Sequence, residues 1–249
     1  MKFLLFIALT LASCNTADAD KCNVPIKIVV LDTGFGYLGR GSEAHLCKYG
    51  HKDFTIDRVF VTNSKTKTPV PLDLNAHGTN IVGIIDSYLK DSGVNYCLVI
   101  LKYFSEKQNG PQNLEASVRA INYAANIDAD YINYSGGGYN PNLEEKLATV
   151  RYLNQGGRII EAAMNDGLNL DFPENAVYPA MYDDRIVMIG NLGKNGVKME
   201  SSNYGSPVSR WEIGESVEAY GLTLTGTSQA TAVATGKIVS GTPKVCRYR

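Results

Sequence analysis

The chain has 249 residues, 44% of them hydrophobic and 20% charged, with 24 Lys and Arg against 25 Asp and Glu. That length carries one domain with a sizeable core, and the balanced charge supplies no electrostatic footprint for a nucleic-acid partner. No internal repeat, low-complexity tract or linker divides it.

The first residues stand apart. Lys2 is followed by an uncharged run over residues 3–12 and then by small and polar residues, which is the pattern of a signal peptide and too short for a lasting bilayer span. We assign residues 1–19 to this segment and 20–249 to the mature domain. Leu11-Ala12-Ser13-Cys14 resembles a bacterial lipobox, on which reading Cys14 carries a lipid that attaches the protein to the membrane. Ala17-Asp18-Ala19 is a competing small-x-small cleavage signal that releases a soluble product. Either reading makes the protein secreted or bound to the cell envelope. An oxidising compartment suits the remaining cysteines: Cys22, Cys47, Cys97 and Cys246 are enough for two disulfides in any of three pairings. A free buried thiol is the competing reading for Cys97, which lies inside an apolar run.

Strand-length apolar runs and helical patterns then alternate. Residues 26–31 form a run broken only by Lys27, a strand buried on both faces, so Asp32 sits at its carboxyl end. Residues 35–75 are the least regular and read as surface loop; His45-x-Cys47-x-x-x-His51 within them has metal-ligand residue types without an evident fourth ligand. His77 precedes Ile81, Ile84, Ile85 and Leu89, a helical spacing that places the histidine at a helix start. A strand is expected at 96–103 and a helix at 114–125. A further strand at 131–134 runs into Ser135-Gly136-Gly137-Gly138. A helix near 143–153, a strand at 158–163 and the turn Asn165-Asp166-Gly167 complete the alternation. Such spacing implies right-handed crossovers and a parallel sheet, with functional groups beyond the strand carboxyl ends, where Asp32, Ser135 and Asn165 fall.

Three segments carry chemistry: Asp32-Thr33-Gly34, His77-Gly78-Thr79 and Gly226-Thr227-Ser228. Taken singly, each has a bland explanation. Asp32 caps a turn, His77 or Ser228 caps a helix, and Asn165 before Asp-Gly is ordinary turn composition. Taken together they supply a nucleophilic hydroxyl, an imidazole to take its proton and a carboxylate to orient that imidazole. Their order, Asp then His then Ser, differs from the orders of two unrelated triad folds.

In these residues the chain resembles the subtilisin-like serine proteases, or subtilases, over residues 26–236. The matching motifs are Val30-Leu31-Asp32-Thr33-Gly34, Ala76-His77-Gly78-Thr79-Asn80, Ser135-Gly136-Gly137, Ala163-Met164-Asn165-Asp166-Gly167 and Gly226-Thr227-Ser228-Gln229-Ala230. Tyr178-Pro179-Ala180 and Ser202-Asn203-Tyr204-Gly205 are weaker echoes. The resemblance implies an α/β, three-layer fold with a mostly parallel central sheet flanked by helices. It also implies an Asp32, His77, Ser228 triad, an oxyanion hole at Asn165, and substrate pairing along Ser135, Gly136 and Gly137. The implied partner is a polypeptide, and the chemistry requires no cofactor; no calcium ligand set is legible, and no metal is assigned.

Several features depart from the family pattern. Ala232 stands where proline is common, Met164 replaces a glycine before the oxyanion asparagine, and Val177 precedes Tyr178 where glycine is usual. The last two add bulk, from which we expect a shallow pocket for small side chains. The interval before Ile26 leaves no room for a folding propeptide and the chain ends soon after Ser228, so we expect a short C-terminus and folding unaided or with a helper or inhibitor in trans. Two competing functions are a catalytically silent peptide-binding module on the same fold and a hydrolase of non-peptide esters.

Overall fold

The computed structural model describes residues 24–242. The signal segment, Cys14, Cys22 and Cys246 lie outside the described residues. In chain order the strands and helices are β1 (Ile26–Asp32), β2 (Lys52–Asp53), β3 (Phe60–Thr62), β4 (Pro69–Pro71), α1 (His77–Leu89), β5 (Tyr96–Lys102), α2 (Gly110–Asn126) and β6 (Tyr131–Tyr134). There follow α3 (Leu143–Asn154), β7 (Arg158–Ala162), β8 (Val187–Leu192), β9 (Arg210–Ile213), β10 (Val217–Ala219), β11 (Leu222–Leu224) and α4 (Thr227–Ser240).

Seven strands form one sheet in the order β2-β5-β1-β6-β7-β8-β9, and every pairing in it is parallel. β1 explains the layering. Its residues Ile28 and Val30 enter one core with Ile81, Ile85, Val233 and Val239 of α1 and α4. Val29 and Leu31 point the other way, to a core with Ile121 of α2 and Tyr152 of α3. A strand apolar at every position can satisfy two faces only by being central, and burial of all four side chains at 0% exposure shows that it is. The three layers expected from the sequence are therefore present.

The path of the chain locates the site. From β1 it crosses by α1 to β5 on one side, then by α2 over the opposite face to β6 on the other. This reversal of direction opens a crevice at the carboxyl end of β1, the position where doubly wound sheets bind ligands.

Some expected elements need correction. α2 begins four residues before 114, because Asn109 and Gln112 exchange side-chain-to-backbone hydrogen bonds in a capping box and Pro111 occupies the first turn. That turn is polar, so hydrophobic spacing could not reveal it. Residues 35–75 are not simply surface loop: β2 joins the sheet edge, and β3 with β4 makes a hairpin. Cys97 is not a free thiol, since it is bonded to Cys47 across a separation of 50 residues. Cys47 is thereby lost to metal binding, and His51 is committed to Cys47 O at 2.8 Å and Ile100 N at 3.0 Å.

Candidate active site

Asp32 closes β1 and is 3% exposed. Its Oδ1 lies 2.8 Å from His77 Nδ1 and accepts the Thr33 N–H at 2.7 Å. The turn beyond it needs Gly34, whose φ is +118° and whose place a Cβ could not share with the Asp73 N–H, 2.8 Å away. Asp73 ties this turn to the start of α1. Its carboxylate accepts from Thr33 Oγ1, from the N–H groups of Asn75 and Ala76, and from both Thr79 N and Thr79 Oγ1. Ala76 then adopts φ 87°, a left-handed conformation that a non-glycine residue holds only when its surroundings impose it. The sequence reading missed Asp73; its place four residues before the histidine, with an Asn-Ala turn between, was the available signal.

Burial alone lowers the pKa of His77. The charge and hydrogen bond of Asp32, with Asp73 behind them, outweigh that cost and raise it above the ordinary histidine value of 6.5. With Nδ1 facing Asp32, Nε2 is the ring nitrogen left for a proton-transfer partner.

Ser228 lies in the first turn of α4, where backbone N–H groups have no partner inside the helix. Its Oγ donates to Ser135 O at 3.1 Å, and Ser135 Oγ donates to Ser228 O at 3.0 Å. Asn165 is oriented by the same helix: its Oδ1 accepts the Thr227 N–H at 2.9 Å, leaving Nδ2 as the donor end. Asn203 holds the turn that carries Asn165, accepting from Asp166 N and Leu168 N. Met164, just before Asn165, has φ 73°, which suits glycine better than methionine. Gln229 Nε2 donates to Asn80 Oδ1 at 3.0 Å and links α4 to α1.

Asp32, His77, Ser135, Gly136, Gly137, Asn165 and Ser228 all line one cavity of about 630 Å³. Among the described residues, the structure thus brings together every site residue expected from the sequence; Cys14 lies outside them. Gly136 and Gly137 have no backbone hydrogen bond to the described residues, so their polar groups are available to an added strand. The two residues expected to add bulk have different fates. Val177 is fully buried and does not line the cavity, so its bulk packs the core, whereas Met164 forms part of the cavity wall. Glu145 reaches the same lining, which sequence reasoning also missed.

Among the described residues, no group of three His, Cys, Asp or Glu side chains could hold a metal ion.

A family model described as subtilase family, peptidase S8, matches residues 25–240. The chain is 28% identical to the major intracellular serine protease of Bacillus subtilis, over 86% of this chain and 67% of that one. It is 30% identical to thermitase of Thermoactinomyces vulgaris, over 69% of this chain and 61% of that one. The chain thus spans about two thirds or less of the length of these relatives. The fold is similar to that of the nisin leader peptidase NisP from Lactococcus lactis, with TM-score 0.69 at 17% identity, covering 86% of this chain and 76% of that one. With the family model covering most of its length, the chain belongs to the subtilase family.

Proposed function

We propose that this subtilase is a serine endopeptidase that works through Asp32, His77 and Ser228. The observation that carries the reading is the 2.8 Å Asp32–His77 contact at a cavity that Ser228 also lines. A polypeptide pairs with Gly136 and Gly137 as an added strand. Ser228 Oγ turns from Ser135 O, attacks the scissile carbonyl and passes its proton to His77 Nε2, while Asp32 stabilises the imidazolium. The oxyanion lies between Asn165 Nδ2 and the Ser228 N–H, where the α4 dipole favours negative charge. Collapse breaks the C–N bond, and His77 protonates the departing amine. A water deprotonated by His77 then hydrolyses the acyl-serine by the same steps.

A silent peptide-binding module has one observation in its favour: the Ser228 hydroxyl is engaged with Ser135 O in the resting state. Hydrolysis of a denatured protein by the purified domain, abolished by Ser228→Ala, is the test. Binding of peptides without cleavage would instead support the module.

We further propose export through the 1–19 signal segment, to a secreted form or an envelope form lipidated at Cys14, with any folding helper or inhibitor acting in trans. The relatives' names point both ways, since they include a minor extracellular protease and a major intracellular one of Bacillus subtilis.

A further inference from the structure

Glu161 lies on β7, four residues before Asn165, and is 0% exposed. Neither carboxylate oxygen has a hydrogen-bond partner; the Ala180 N–H faces it without meeting hydrogen-bond geometry. A sealed, unpaired carboxyl is costly, and a fold that served only packing would gain from an apolar residue here. What surrounds it makes the arrangement more unusual. Glu145 of α3 is 2% exposed, lines the cavity, and accepts from Ser117 Oγ at 3.2 Å and Tyr182 Oη at 3.3 Å. Among the described residues neither glutamate takes part in a salt bridge. Burial, with the Glu145 charge adding to it, pushes the Glu161 carboxyl well above the carboxylate range.

The position of Glu161 relative to substrate follows from the site. The Ser135-Gly137 and Met164-Asn165 segments both line the cavity beside Ser228, and on the protease reading the side chain of the residue whose carbonyl is attacked, P1, enters between them. Glu161 stands behind the wall of that space. A Cβ on Gly137 would come within 3.3 Å of Glu161 Oε1 and 3.4 Å of Met164 Sδ. The carboxyl therefore packs against Gly137, which lines the cavity, while Glu161 itself is fully buried and does not line it. The thioether beside it is the most adaptable of apolar groups and can move aside.

We propose, on the protease reading above, that Glu161, reinforced by Glu145, makes the base of this pocket a receptor for a lysine or arginine side chain at P1. An entering ammonium or guanidinium supplies the charge and donors that the empty pocket lacks. An apolar side chain of equal length leaves the carboxyl sealed and unpaired, which is how a buried polar site rejects an isostere. This replaces the expectation of small P1 side chains.

The test compares kcat/KM on peptides that differ only at P1, as Lys, Arg, norleucine, Phe or Ala, for wild type and Glu161→Gln. Fluorophosphonate labelling of Ser228 scores assembly of the site independently of P1. Wild type is expected to favour Lys or Arg over norleucine by at least about tenfold, and Glu161→Gln to collapse that ratio. Wild type that labels but cleaves norleucine, Phe or Ala as fast as Lys overturns the proposal and leaves the protease reading standing. So does a folded Glu161→Gln enzyme that keeps the wild-type ratio. Folded wild type that fails to label removes both. The wild-type profile decides the matter even if the variant does not fold.

Discussion

Two Asp–His pairs sit along the same helix and have different fates. At the start of α1, His77 meets Asp32 at 2.8 Å; at its far end, His45 meets Asp86 at 3.3 Å. Asp86 is shared among donors, taking Tyr96 Oη at 2.6 Å, Tyr220 Oη at 3.0 Å and the His45 N–H at 3.1 Å. It acts as a clamp between loops, and its imidazole is more exposed, at 44% against 26% for His77. His77 faces a cavity with a helix-borne serine on it, and His45 does not line that cavity. An Asp–His contact is thus not by itself a catalytic device: the crevice where β1 separates β5 from β6 makes it one.

The contrast predicts the largest effect first. His77→Ala should reduce kcat by about 10⁶-fold, the loss known for the triad of subtilisin itself. His45→Ala should leave kcat within about threefold, since surface-pair changes far from the chemistry act weakly. Steady-state hydrolysis of one peptide by both variants checks the pair; comparable losses would erase the distinction.

The carboxylates sharpen it. Asp32→Asn should lower kcat by about 10⁴-fold with little change in melting, because the amide favours the wrong imidazole tautomer. Asp86→Asn should do the reverse, costing about 1–3 kcal/mol through two tyrosine hydroxyls left without their charged acceptor, while activity persists. Denaturant melts beside the kinetics separate the two outcomes. Asn165→Ala should cost about 10²- to 10³-fold in kcat with KM nearly unchanged, through loss of the oxyanion donor.

The smallest effect is on pH dependence. His77 accepts a proton only when neutral, and its pKa is raised, so activity should fall as pH drops through a value above 6.5. Removing the Asp32 charge leaves burial as the main influence, so residual activity in Asp32→Asn should extend to lower pH. A limb that stays fixed would show that Asp32 does not set the histidine's titration.

Much of this was legible from the chain alone, for identifiable reasons. β1 and β5 announce themselves because a strand buried on both faces is apolar with little interruption, β6 and β7 because each falls between a helical stretch and a polar or glycine-rich turn, and α1 by its spacing. The catalytic candidates are readable because each sits where such an element begins or ends. β8 and β9 are not readable, since no helical stretch sets them apart and Gly190, Asn191 and Arg210 interrupt their apolar character; Trp211 packs over Gly190 instead. Asp73 and Glu161 are hidden for another reason. An aspartate beside a turn and a glutamate in a strand become informative only when contacts that are distant in sequence show which donors surround the one and that none satisfies the other. The Cys47–Cys97 bond is one of six possible among four cysteines, and choosing it required the parallel bridge that sets Leu46 beside Leu98.

The most direct measurement is the rate of covalent labelling by a fluorophosphonate in wild type, His77→Ala and His45→Ala, with the labelled residue located by mass spectrometry. The account predicts modification of Ser228 at similar rates in wild type and His45→Ala and its loss in His77→Ala. Labelling that is indifferent to His77, or that falls on another residue, would contradict it.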